Sequence, residues 1–179
     1  MNAIALPVTA APSSVKADFE LTPVMRTIIG LACVTLSFLC VIALGKAALG
    51  MVENLHYYNK LPIIIHVSAV LPAIPLGGYL LLARKGTRRH KQLGKLWLVL
   101  MLVTATSAIF IQSSGGFSPI HLLIPVTFHA AWQTVATARK GDIAGHKKHL
   151  VFTYFAALMV PGILAFAFDG RLMNTMLLG

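Results

Sequence analysis

Charged residues leave long gaps in this chain, and those gaps define its elements. Stretches without Asp, Glu, Lys or Arg run from Thr27 to Gly45, Leu61 to Ala83, Leu96 to Ala138 and His149 to Phe168, or 19, 23, 43 and 20 residues. A helix needs about 20 apolar residues to cross about 30 Å of hydrocarbon, so three of these stretches each suit one crossing. The 43-residue stretch is too long for one crossing and contains the breaker Ser113-Ser114-Gly115-Gly116, which divides it in two. The pattern predicts five transmembrane helices at about 25–45, 61–83, 95–112, 117–138 and 149–168. They are helical because an open sheet cannot satisfy its backbone in lipid. The expected fold class is thus all-α, a polytopic five-helix bundle made of an N-terminal helix and two helical hairpins, 61–112 and 117–168. Residues 1–23 lack the basic start and small-residue cleavage pattern of a removed signal peptide, and their Pro7, Pro12, Ser13 and Ser14 suit a mobile tail. The remainder, 24–179, reads as a single transmembrane domain.

Composition agrees with a lipid environment. Only 11% of the residues are charged and 57% are hydrophobic, whereas a soluble domain carries about 25% charged residues. A soluble core of this size could not hide so much apolar surface. The 15 basic residues outnumber the 5 acidic ones, and their placement gives orientation. Twelve of them (Lys16, Arg26, Arg84, Lys85, Arg88, Arg89, Lys91, Lys95, Arg139, Lys140, Lys147 and Lys148) fall at one end of the predicted helices, against Lys46, Lys60 and Arg171 at the other. The excess of Lys and Arg in cytoplasmic loops predicts a bacterial inner-membrane protein with its N-terminus in the cytoplasm and its C-terminus in the periplasm. The same asymmetry removes the case for nucleic acid as a partner. Arg84, Lys85, Arg88, Arg89, Lys91, Arg139, Lys140, Lys147 and Lys148 are expected to meet anionic lipid headgroups.

The chain also repeats. His66 precedes Ala83-Arg84-Lys85-Gly86 by 17 residues, and His121 precedes Ala138-Arg139-Lys140-Gly141 by the same number. The offset is 55 for these elements and 56 for the following pair, His90-Lys91 and His146-Lys147. Like positions of a parallel repeat meet about an axis along the membrane normal, so His66 is expected to face His121 in one layer and His90 to face His146 in another. Paired imidazoles on facing helices of a membrane bundle can hold a b-type haem, and two layers would carry electrons across the bilayer. His129, eight residues beyond His121, is a further candidate ligand. Other metals need more ligands than the sequence supplies, so the candidate cofactor is haem b and no catalytic residue is assigned. None of Asp18, Glu20, Glu53, Asp142 and Asp169 lies well inside a span, which weakens a proton-coupled transporter reading. Gly77 and Gly78 suit close helix packing. Cys33 and Cys40 suit packing over disulfide or metal chemistry. Trp97, Trp132 and Tyr79 fit either an interfacial or an inward position.

The segment from Gly86 to Trp97, with His90-Lys91-x-Leu93-Gly94-Lys95, and the segment from Arg139 to Lys148, with Gly141-Asp142 and His146, resemble the two signature loops of a bacterial family of predicted integral membrane proteins of unknown function. The resemblance covers about residues 61–168. It implies a multi-helix bundle with recurring histidines at His66, His90 and His146, and no settled activity. The layered histidines also resemble, in arrangement only, those of membrane cytochrome b561. Two functional classes follow. One is haem-linked electron transfer through His66, His121, His90 and His146. The other is a non-enzymatic accessory, assembly or structural subunit of a membrane complex, whose histidines make only interhelical hydrogen bonds.

Overall fold

The structure is a computed structural model that describes residues 21–53, 55, 59–112, 116 and 118–178. Most of the predicted N-terminal tail, His56 and three residues of the Ser113–Gly116 breaker lie outside the described residues. Among the described residues regular structure is entirely helical. There are six helices: α1 (Pro23–Ala48), α2 (Leu61–Leu82), α3 (Arg88–Ala108), α4 (Leu123–Lys140), α5 (Ile143–Ala167) and the short α6 (Leu172–Leu178). A 3-10 turn, Pro119–Leu122, leads into α4. Three of the helices, α1, α2 and α5, are long and apolar enough to cross a membrane.

The helix starts differ informatively from the charge-free pattern. α3 begins at Arg88 and α5 at Ile143, each several residues before its apolar stretch, because Thr87 and Asp142 cap them. Charge counting finds the lipid-facing part of a helix, whereas capping groups decide where its backbone bonding begins. The basic runs Arg88–Lys95 and Lys147–Lys148 are therefore helical. α6 had no signal in the charge pattern; Asn174 Nδ2 donates to Phe166 O at 2.8 Å and ties it back to α5.

α1 is apolar on every face, as a helix between core and lipid must be. Ile29, Leu36, Cys40 and Ala43 are buried, while Leu31, Val34, Phe38 and Val41 point outward, Phe38 at 63% exposure. The core closes around Gly77 and Gly78, toward the C-terminal end of α2. A Cβ on Gly77 would lie 2.6 Å from Trp97 Nε1 and 2.7 Å from the Tyr154 ring, and one on Gly78 would lie 2.5 Å from Cys33 Sγ. Side chains of α1, α3 and α5 thus converge on a bare stretch of α2 backbone. Trp97 Nε1 donates to Ala73 O at 2.9 Å and the Tyr154 hydroxyl to Ile74 O at 3.4 Å. Trp97 therefore takes the inward position, whereas Trp132 and Tyr79 are exposed. Cys33 and Cys40 are free thiols. In α5 the turn Phe155–Met159 widens to π geometry, with Val160 N–H bonding to Phe155 O. The next residue, Pro161, has no N–H and its ring crowds the carbonyl four residues back, which accounts for the wider turn.

The ends are tied by two contacts. Arg26 Nη2 lies 3.5 Å from Leu82 O, placing the start of α1 beside the end of α2, and Lys46 Nζ donates to Leu177 O at 2.7 Å at the opposite end. Every described member of the twelve-residue basic group consequently lies on one side of the bundle.

Candidate functional site

Two turns build the basic end on one plan. Gly86 adopts φ +78° and is followed by Thr87, whose Oγ1 accepts from His90 N–H at 3.1 Å. Gly141 adopts φ +74° and is followed by Asp142, whose Oδ1 accepts from Gly145 N–H at 2.9 Å. In each turn a left-handed glycine reverses the chain and a polar side chain starts the next helix. The histidine then falls in the first turn of that helix. This explains the repeat offsets: glycine and cap recur at 55, while one extra residue between cap and histidine makes the last offset 56. The Gly-Thr and Gly-Asp pairs are the signal that would have placed these helix starts. Asp142 is thereby committed to capping.

His90 and His146 are both half-buried and come close enough for the charge of His146 to disfavour protonation of His90. Burial is the larger cause of the lowered His90 pKa, followed by His146 and then Lys85. Nδ1 of His90 is buried with no hydrogen-bond partner. The ring of His146 is held from α4, its Nδ1 donating to Thr134 O at 2.9 Å. Thr134 is almost fully buried and its own hydroxyl bonds to Ala130 O. No sequence pattern singled out Thr134, because its contribution is a backbone carbonyl.

The predicted outer layer is arranged differently. His66 packs against α3, its Nδ1 lying 3.0 Å from Thr104 O and 3.2 Å from Ser107 Oγ. His121 sits in the 3-10 turn before α4, where Nδ1 accepts from Ser118 N–H at 3.0 Å and Nε2 lies 3.2 Å from Ile111 O. The hydrogen bonds of these two rings go to different partners, Thr104 and Ser107 of α3 for His66, and Ser118 and Ile111 for His121. His129 is exposed on the outer face of α4, its ring centroid 6.1 Å from that of Trp132. Among the described residues no group of three or more His, Cys, Asp or Glu could hold a metal ion. An axial haem site asks for less, namely two imidazole nitrogens on facing helices. Between the rings of the predicted inner pair the structure shows an electrostatic influence, the charge of His146 disfavouring protonation of His90.

Comparison with known proteins gives one match. Residues 63–173 match the model of a family described as predicted membrane protein (DUF2306), a span that takes in both capped turns and all five candidate histidines. No curated protein and no solved structure matches the chain.

Proposed function

We propose, for a chain that belongs to this family of predicted membrane proteins (DUF2306), that it crosses the bacterial inner membrane five times and works through the His90–His146 pair at its cytoplasmic end. α3 and α4 fall short of the composition of α1, α2 and α5; their charge-free parts, residues 96–108 and 123–138, rise about 20 and 24 Å, and the charge-free residues 109–112 after α3 and the turn Pro119–Leu122 before α4 continue them toward the hydrocarbon thickness. Most of their hydroxyl side chains are turned inward, Thr104, Ser107, Thr127, Thr134 and Thr137 being buried, while Thr106 and His129 are exposed. The hydroxyls of Ser107, Thr127, Thr134 and Thr137 donate to backbone carbonyls of their own helices, which is compatible with lipid outside the bundle. The basic excess supports a cytoplasmic N-terminus and a periplasmic C-terminus for the single transmembrane domain 24–179.

At the inner pair the fitting group is a b-type haem, and the observation that carries this reading is the buried, partnerless Nδ1 of His90 beside His146. A ligand imidazole must be neutral, and burial together with neighbouring positive charge holds His90 in that form. His146 is oriented by donating Nδ1–H to the Thr134 carbonyl, the outer contact by which metal-bound histidines are commonly held. Lys85 and Lys147 add positive charge suited to the carboxylates of the haem edge. The haem, when bound, supplies a one-electron couple for transfer within the membrane. His121, with Nδ1 engaged by Ser118 and Nε2 by Ile111 O, does not fit a second site.

An absorption spectrum of protein purified from its native membrane tests this. Sharp reduced bands are expected in the parent protein and in His121→Ala, and their loss in His90→Ala and His146→Ala. A bare protein spectrum in the parent would sink the haem. It would leave the accessory-subunit reading, which the interhelical bonds His66–Thr104 and His146–Thr134 favour.

A further inference from the structure

The outward face of α4 carries two polar rings at a depth that suits neither lipid nor water. His129 lies nine residues before Ala138, the last uncharged residue of α4, roughly 14 Å into a hydrocarbon layer of about 30 Å. Trp132 lies six residues before Ala138, roughly 9 Å in and deeper than the headgroup level where lipid-facing Trp collects. His129 is exposed, Trp132 is 64% exposed, and among the described residues no hydrogen bond within the chain engages either ring. An N–H that faces acyl chains at these depths has nothing to bond to, and polar groups inside a span ordinarily have a protein partner. Beside the two rings, α4 and α5 leave an almost wholly apolar groove of about 560 Å³, lined by Val126, His129 and Ala130 of α4 and by His149 and Phe152 of α5. Successive residues of a helix are turned by about 100°. Val126 and Ala130 therefore lie about 60° and 100° to one side of His129, and Trp132 and Phe128 lie about the same angles to the other. His129 thus stands between a groove and two exposed aromatic side chains.

We propose that the occupant of this groove is a second copy of the chain, related by a two-fold axis along the membrane normal that passes beside His129. Such an axis keeps both copies at one depth and in one orientation, and it turns the aromatic side of each α4 toward the groove side of the other. Trp132 and Phe128 of each copy enter the groove of the other. Each indole N–H, which can only donate, meets the acceptor nitrogen that a neutral imidazole offers at His129 of the second copy. Acyl chains fill the same volume but offer no acceptor at this depth. A dissimilar protein leaves unexplained why knob and groove lie on one face at matching depth. The pairing rests on α4 crossing the membrane and is independent of any haem, and a topology reporter in the Lys140–Asp142 turn reads that crossing separately.

The test is energy transfer between donor-labelled and acceptor-labelled full chains in phosphatidylcholine vesicles, followed as the protein is diluted with lipid. The parent should form a two-subunit species. Trp132→Ala should weaken association at least ten-fold, as loss of a central interface Trp does. His129→Leu should weaken it about eight-fold, the worth of two interhelical hydrogen bonds of ordinary membrane strength, and His129→Gln, which keeps a donor and an acceptor, should recover most of that loss. Phe38→Ala, on the outward face of α1, should leave association within two-fold. Trp132→Ala and His129→Leu should keep the parent's helix content by circular dichroism, because both side chains are exposed in the single chain. His129→Cys should crosslink to its own kind in native membranes, where the parent, with Cys33 and Cys40 on α1, should not. A parent that is monomeric at every dilution would overturn the proposal, whether lipid or another protein then fills the groove. So would a dimer indifferent to both Trp132→Ala and His129→Leu, or one weakened as much by Phe38→Ala.

Discussion

A methyl group at Gly77 has nowhere to go. The added Cβ would stand 2.6 Å from Trp97 Nε1 and 2.7 Å from the Tyr154 ring, and both rings are fully buried and tied to α2 carbonyls. Gly77→Ala should therefore cost about 1–3 kcal/mol through overpacking. Gly94 lies within α3 with nothing within 4 Å of its Cβ position, so Gly94→Ala should gain about 0.5–1 kcal/mol from lower backbone entropy in the unfolded state. Thermal unfolding in detergent separates the two signs; equal melting temperatures would mean that the Gly77 contact is loose. Burial, with neighbouring charge added to it, decides the behaviour of His90. Its folded pKa lies below that of a free imidazole because of burial, then His146, then Lys85. As pH falls below about 6.5 the unfolded chain takes up this proton first. Stability contributed by this group is thus complete above that pH and is lost as acidification proceeds toward the folded pKa. Imidazole NMR of the full chain should find His90 titrating below free histidine, and His146→Gln should move it upward. An unchanged His90 midpoint in that variant would show that the two rings do not sense each other.

At the scale of the helix, caps and breakers explain what apolar runs do not. Asp142 holds the start of α5 by accepting from Gly145 N–H, and removing such a cap costs about 1 kcal/mol. Asp142→Ala should lower the melting temperature correspondingly, and Asp142→Asn, which keeps an acceptor, should restore most of the loss. Equal effects of both changes would mean that the charge matters and the cap does not. The prolines divide by position. Pro62 and Pro119 begin their elements, where a missing N–H is harmless, whereas Pro72 and Pro75 lie inside α2. Pro161 leaves α5 continuous at the cost of one wide turn. Beyond that turn Gly162 allows α5 to approach α1, where a Cβ would lie 2.8 Å from Leu36 Cδ2.

For the whole molecule the main consequence of the fold is polarity along its long axis. Arg26 beside Leu82, and His90 beside His146, gather the basic turns at one end, while Lys46 and α6 close the other. An enzymatic reporter that works only in the cytoplasm should be active when inserted at Thr87, and one that works only outside should be active after Gly179. The reverse pattern would invert the protein and exchange the compartments faced by His90 and His66.

Much of this architecture was legible from local chemistry. A charge-free run is apolar whatever it later touches, so the long helices α1, α2 and α5 and the clustering of Arg and Lys follow from residue order alone. The two Gly-containing basic turns were visible as a repeat, because a left-handed glycine and a capping side chain act on their immediate neighbours. Pairing across helices is another matter. Whether His66 turns to His121 or to Thr104 depends on helix rotation and on the backbone groups left available nearby. The repeat offset alone could not show that Ser118 and Ile111 already engage both nitrogens of His121. Nor could it show that His146 takes its support from the carbonyl of Thr134, since every residue carries a carbonyl and none is marked by type. The outward aim of His129 and the groove beside Lys148 likewise come from packing. Local composition specifies which segments enter lipid; only the close approach of α1, α3 and α5 to bare backbone at Gly77 and Gly78 sets the rotation of each helix, and with it which polar side chains meet.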